Sequence, residues 1–175
     1  MNPLVLVTTA LLCTGLAVPA ATPGLKVSEN KRFLVTTDGK PFFYLGDTTW
    51  ELFHRLNREE ATQFLDNRAA RKFNVLQSVA IAELEGHTDP NAYGHLPFVD
   101  LDVTKPAVKD GLENDYWDHV DFIVREANKR GLYIGFLPTW GRFWHDTNQG
   151  RKPLFTAANA ETYGSGWANA TRTQA

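Results

Sequence analysis

The chain has 175 residues, with 18 Lys and Arg against 20 Asp and Glu, so its formal net charge is −2. That balance excludes a polyanion-binding surface built on excess positive charge. A hydrophobic share of 43% and an aromatic share of 12% fit a globular chain with a core, at a length for one domain.

The first twenty residues stand apart. Leu4 to Val18 is almost wholly apolar and leads into Val18-Pro19-Ala20, which places small residues at the −3 and −1 positions of a signal-peptidase site. The run is shorter than the roughly 20 residues of a membrane span, and no charged stop-transfer segment follows. The expectation is a signal peptide over residues 1–20, a secreted chain and no membrane anchor. Leu12 is too large for the position before a lipidated cysteine, so Cys13, the only cysteine, belongs to the leader. The mature chain then has neither a disulfide nor a cysteine-based zinc site. Asn169-Ala170-Thr171 is a glycosylation sequon.

From Leu25 the pattern alternates. Leu25 to Val27 and Arg32 to Val35 read as short strands, and Asp38-Gly39 is a turn signal. Pro41 to Leu45 (PFFYL) is a continuous apolar run, expected as a strand buried on both faces. Asn57 starts a helix, with Glu60 at the capping-box position and Ala61, Phe64, Leu65 and Ala69 on one face. Phe73 to Ile81 is the next strand. Ala82 to Leu112 is irregular and rich in Pro, Gly, Asp and Asn. Tyr116, Trp117, Val120, Ile123, Val124 and Ala127 then form a helical stripe that Gly131 stops. Leu132 to Leu137 is the third strand. Thr156 caps a last helix through about Ala168.

Buried strands alternating with amphipathic helices specify parallel βαβ units, in either a doubly wound sheet or part of a (β/α)₈ barrel. A nucleotide-binding sheet carries a Gly-rich turn after its first strand, whereas this one continues Gly46-Asp47-Thr48-Thr49-Trp50. Polar and aromatic residues instead recur after each strand: Asp47 and Trp50, then Gln77, Glu83 and Glu85, then Thr139, Trp140, Arg142 and Trp144. In a barrel these strand ends share the face where active sites lie. Indole faces stack on sugar rings and carboxylates or amides bind hydroxyls, so the pattern favours a carbohydrate partner.

Plainer roles compete at each position. Asp47 could cap the next turn, Trp50 could lie under the hairpin, Trp144 could pack on the last helix, and Glu83 and Glu85 read as solvated loop charges. Glu85, His87, Asp89 and His95 match no compact metal-ligand spacing. Asp100-Leu101-Asp102 lacks the later Gly and Glu of a calcium loop. No metal and no cofactor is expected, and no G-x-S-x-G elbow occurs.

LKVSENKRFLVTTDGKPFFYLGDTTWELFHRL, FNVLQSVAI, NAYGHLPFVDLD and YWDHVDFIVREANKRGLYIGFLPTWG, in that order and spacing, resemble the apiosidase-like glycoside hydrolases of family 140. The resemblance runs from about Leu25 to the last helix. It implies the N-terminal part of a (β/α)₈ TIM barrel preceded by a β-hairpin, occupying residues 21–175 and truncated after about three βα units. It also implies retaining hydrolysis at a terminal sugar of plant pectin, by two carboxylates about 5–5.5 Å apart. The acid/base is expected after strand four and the nucleophile later. Since ATRTQA contains no apolar strand, no catalytic residue carries over, and the short chain is expected to be inactive. Asp47, Trp50, Gln77 and Trp140 carry over as substrate-cleft positions. A whole barrel takes about 250 residues. Other readings of the same residues are a non-catalytic carbohydrate-binding protein and a non-functional truncated product.

Overall fold

A computed structural model describes residues 22–143 together with Leu154 and Thr156. The leader over residues 1–20, the Arg142 side chain, Trp144, the helix expected to begin at Thr156 and the sequon at Asn169 lie outside the described residues.

β1 (Leu25–Val27) and β2 (Leu34–Thr36) pair antiparallel, with Leu25 opposite Thr36. The Asp38-Gly39 turn follows. Gly39 has φ of 87°, a conformation glycine adopts without Cβ strain, and its N–H donates to the Thr36 carbonyl at 2.8 Å. Pro41 then makes a single bridge to Val35.

Pro41 to Leu45 is not the buried strand its apolar run suggests. Only that bridge is β-like, and Phe43 is 77% exposed. Phe42 N–H donates to the Leu34 carbonyl at 2.9 Å, and the rest of this segment's backbone bonding goes mainly to Asn74. Asn74 accepts from Leu45 N–H at 2.8 Å and donates to the Phe43 carbonyl. With those groups already bonded, no ladder is needed.

The strand begins one residue later. β3 (Gly46–Thr49), β4 (Val75–Val79) and β5 (Tyr133–Leu137) form a parallel sheet in the order β3-β4-β5. α1 (Arg58–Ala70) connects β3 to β4, and α2 (Tyr116–Lys129) connects β4 to β5. The architecture is therefore mixed α/β: an antiparallel hairpin followed by two consecutive βαβ units.

Both helices begin as their sequences dictate. The Asn57 side chain accepts from Glu60 N–H at 2.9 Å, and the Glu60 carboxylate accepts from Asn57 N–H at 3.0 Å, a complete capping box. Asp115 caps α2 by accepting from Asp118 N–H at 2.9 Å. The core lies between the helices and one face of the sheet. Leu76, Ala61, Leu65, Val120, Ile123, Ala127 and Leu132 are buried in it together with Tyr116 and Trp117. Burying a large apolar side chain stabilises by about 1.5–3 kcal/mol, so this layer is the main source of cohesion.

The long connection from β4 to α2 stays irregular apart from a short 3₁₀ turn, Val99–Leu101, in which Asp100 and Leu101 both take positive φ, 51° and 58°. It is tied down by the buried Trp117, whose indole N–H donates to the Pro97 carbonyl at 2.9 Å. No helix among the described residues is long and apolar enough to cross a membrane.

Candidate functional site

The parallel register sorts the strand residues by face. Asp47, Leu76 and Ile134 stand side by side, and so do Thr48, Gln77 and Gly135. Because side chains alternate across a strand, Asp47 shares the helix-packed face with the buried Leu76. Gln77 projects from the opposite face, as Val75 and Val79 do.

Asp47 is accordingly tied to α1. Its carboxylate takes an ion-paired hydrogen bond from Arg68 Nε and accepts from Thr48 N–H at 2.9 Å. The Arg68 guanidinium lies over the Phe64 ring, 4.3 Å from its centroid. Asp47 and Arg68 line a cleft of about 230 Å³ with Thr48, Thr49, Glu51, Leu52, Leu56 and Phe64. Trp50, Gln77 and Trp140 are not part of that lining.

The structure does bring Trp50 and Trp140 together. Their rings meet edge to face, with centroids 4.9 Å apart and planes at 75°, and the residues are 41% and 44% exposed. Neither indole is buried core. An aromatic pair in this geometry stabilises by about 0.5–1.5 kcal/mol beyond area burial, while leaving ring surface in contact with solvent.

Each tryptophan stands on a braced base. Beyond the β4–β5 ladder, Ala80 N–H donates to the Leu137 carbonyl at 2.8 Å and Ile81 N–H to the Pro138 carbonyl at 3.1 Å. The Thr139 hydroxyl donates to the Ile81 carbonyl at 3.0 Å, and Phe143 N–H returns to the Trp140 carbonyl at 3.2 Å. Backbone pairing thus persists to Pro138, and the Thr139 hydroxyl extends it to the residue before the indole. On the other side, the Thr49 and Ser78 hydroxyls are 2.6 Å apart in the buried sheet.

The turn after Trp50 is braced by Glu51. Its carbonyl accepts from His54 N–H and Arg55 N–H, and one carboxylate oxygen takes both His54 Nδ1–H and Arg55 Nε–H at 3.0 Å. Arg55 then reaches the Leu84 carbonyl at 3.3 Å, joining this turn to the loop after β4. Tyr116, fully buried, donates its hydroxyl to the Ala80 carbonyl. Burial, with the Glu51 charge added, pushes its phenol far above the usual range. Glu51, His54 and Arg55 are supporting residues that the sequence did not single out, whereas the sequence places Tyr116 only in the α2 stripe. The acid at position 51 with bases three and four residues on is the signal that could have found them.

The loop residues take structural places. His87 is 8% exposed and packs between Phe98 and Phe143, with centroids 6.0 and 6.2 Å away. Its Nε2–H donates to the Leu101 carbonyl at 2.7 Å, holding the positive-φ turn. Among the described residues no three His, Cys, Asp or Glu side chains converge as a metal site.

Solved structures of glycoside hydrolases share this mixed α/β arrangement. One solved structure, described as a glycoside hydrolase, is 36% identical with a TM-score of 0.68 over 84% of this chain and 31% of its own. A second, a family 5 glycoside hydrolase from Bacteroides vulgatus, is 34% identical with a TM-score of 0.67 over 83% of this chain and 29% of its own. This chain therefore spans under a third of the length of either structure. No curated protein matches. The model of the apiosidase-like catalytic domain matches residues 28–170, and the chain belongs to that family.

Proposed function

We propose that this chain is part of a secreted glycosidase acting on pectic glycans of the plant cell wall, and that its strands belong to a (β/α)₈ barrel. Family membership supports a glycosidase with a carbohydrate substrate. The observation that carries the site is the Trp50–Trp140 pair, exposed where β3 and β5 end. In this reading one sugar ring lies against the indole corner, and Gln77 offers its amide from the sheet face. Asp47 acts through Arg68, by fixing β3 against α1. The leader over residues 1–20 directs the chain out of the cell.

Calorimetry with pectic side-chain oligosaccharides on the 175-residue protein tests the site. Trp140→Ala is expected to weaken binding about tenfold, equivalent to about 1.4 kcal/mol, and Trp140→Phe to restore part of it. Equal affinity in all three proteins removes the tryptophan pair from the site. The 175-residue chain is expected to bind without releasing sugar. Turnover by the purified chain would shift attention to Glu83 and Glu85.

A further inference from the structure

His119 lies in the first turns of α2, buried among groups from four segments. Its ring meets the Tyr93 ring edge-on at 5.1 Å and lies parallel to Phe122 at 6.5 Å, with planes 8° apart. The same two rings hold the Arg58 guanidinium, 5.4 Å from the Tyr93 centroid and 4.8 Å from that of Phe122. A cation and an imidazole thus share one aromatic enclosure.

The hydrogen bonding fixes the tautomer. His119 Nε2 is 2.9 Å from the Leu56 carbonyl, which can only accept, so Nε2 carries the hydrogen. Nδ1 is then a lone-pair nitrogen. It is buried and has no hydrogen-bond partner among the described residues. A proton placed there finds no acceptor and creates a second cation beside Arg58.

The ionisable neighbours do not offset that. From α1 comes Arg58, already ion-paired with Glu113 of the segment before α2. From the loop after β4 come Tyr93 and His95, the latter with its own buried Nδ1 lacking a partner among the described residues. From the turn after β3 come Glu51 and His54, paired with each other. On the first turns of α2 and its cap the carboxylates are Asp115, which accepts from Lys109 N–H and Asp118 N–H, Asp118, which accepts from Asn114 N–H, and the buried Asp121.

We propose that His119 is an acid-sensitive latch. While neutral, it clamps the end of the Trp50-bearing turn, at Leu56, onto α2. When protonated, it loosens that turn and the adjoining loop, which is joined to the turn by Ala92 N–H donating to the His54 carbonyl at 3.1 Å. This rests on the carbohydrate-site reading only in so far as the loosened turn carries Trp50. Burial, with the Arg58 and His95 charges added, brings the imidazole down to about 4, despite the opposing hydrogen bond to Leu56.

The sign follows from linkage. An unfolded histidine titrates near 6.5, so between that pH and about 4 the unfolded chain binds the additional proton. Stability from the neutral ring is therefore complete above that window. It is lost as pH falls through it, the folded-to-unfolded ratio dropping up to about tenfold per pH unit.

Nuclear magnetic resonance titration of the His119 imidazole in the whole chain is the direct test. The expected result is a neutral ring, protonated on Nε2, persisting below pH 5. An ordinary midpoint near 6.5, or a proton on Nδ1, overturns the latch. His119→Gln retains a donor for the Leu56 carbonyl but cannot titrate in this range. Its exchange at the Ala92 amide at pH 4.5 is expected to be slower than that of the unsubstituted chain by tenfold or more, and equal rates also overturn the proposal. Neither readout uses a sugar, so oligosaccharide binding that fails at every pH sinks the functional reading and leaves the latch standing.

Discussion

The two helices cover the same sheet face but are held by different means. α1 buries only Ala61 and Leu65 and opens with a complete capping box. α2 buries eight residues, Tyr116 and Trp117 among them, behind a single aspartate cap. One helix depends more on its ends and the other on its middle. Their C-termini share a geometry that different residues adopt. In α2, Gly131 N–H donates to the Asn128 carbonyl and Leu132 N–H to that of Ala127, both at 3.0 Å, with Gly131 at φ of 72°. In α1, Lys72 N–H donates to the Ala69 carbonyl at 2.9 Å and Phe73 N–H to that of Arg68 at 3.1 Å, with Lys72 at φ of 67°. Both are Schellman endings, but only one has glycine at the left-handed position. Two chain ends of equal shape therefore differ in strain.

The contrast is open to measurement. The largest effect is expected from the middle of α2. Trp117→Ala removes a buried indole and leaves the Pro97 carbonyl without its donor, and should cost about 3–5 kcal/mol in denaturant unfolding. A cost below that of losing a cap would mean that the long loop relaxes into the space and that burial does not anchor α2. Next comes the start of α1, where Asn57→Ala removes the side-chain arm of the box, leaving Glu60 N–H without its cap while residue 57 N–H still donates to the Glu60 carboxylate, and should cost about 1 kcal/mol. The smallest effect separates the two endings. Lys72→Gly is expected to stabilise by about 0.5–1 kcal/mol, since left-handed strain outweighs glycine's added chain entropy. Gly131→Ala should destabilise by a similar amount, and shifts of the same sign in both variants would refute the strain account.

Much of this layout was legible in the sequence. Asn57 with Glu60, and the stripe from Tyr116 to Ala127 ending at Gly131, are local codes whose meaning depends on few distant atoms, and both helices appear where those codes place them. β4 and β5 fall inside their apolar runs. PFFYL misled because an apolar run reports residue preference and not hydrogen bonding. The backbone groups of Phe43 and Leu45 go to Asn74, about thirty positions away, and no periodicity encodes that. The β3 strand hid inside GDTT because Gly and Asp are poor strand formers that tertiary pairing overrides. At the site, Trp50 and Trp140 were identified one by one, but their mutual contact spans ninety positions and follows only from the parallel register. Asp47 was read for its charge. Its facing direction depended on which strand residue opposed Leu76, and that register cannot be read from the motif alone.

Asn74 has a wider consequence than filling in for a strand. Its side chain grips Leu45 and Phe43, its N–H donates to the Leu45 carbonyl at 3.0 Å, and its own carbonyl accepts from Tyr133 N–H at 2.9 Å. Leu45, Asn74 and Tyr133 stand at the starts of β3, β4 and β5. One residue is thus the common origin from which all three strands are measured. A one-residue slip would turn every side chain to the wrong face, pointing Asp47 away from Arg68 and Gln77 into the helix layer. The accuracy with which the tryptophans meet at the far end of the sheet is therefore set at the near end, by an asparagine that touches neither.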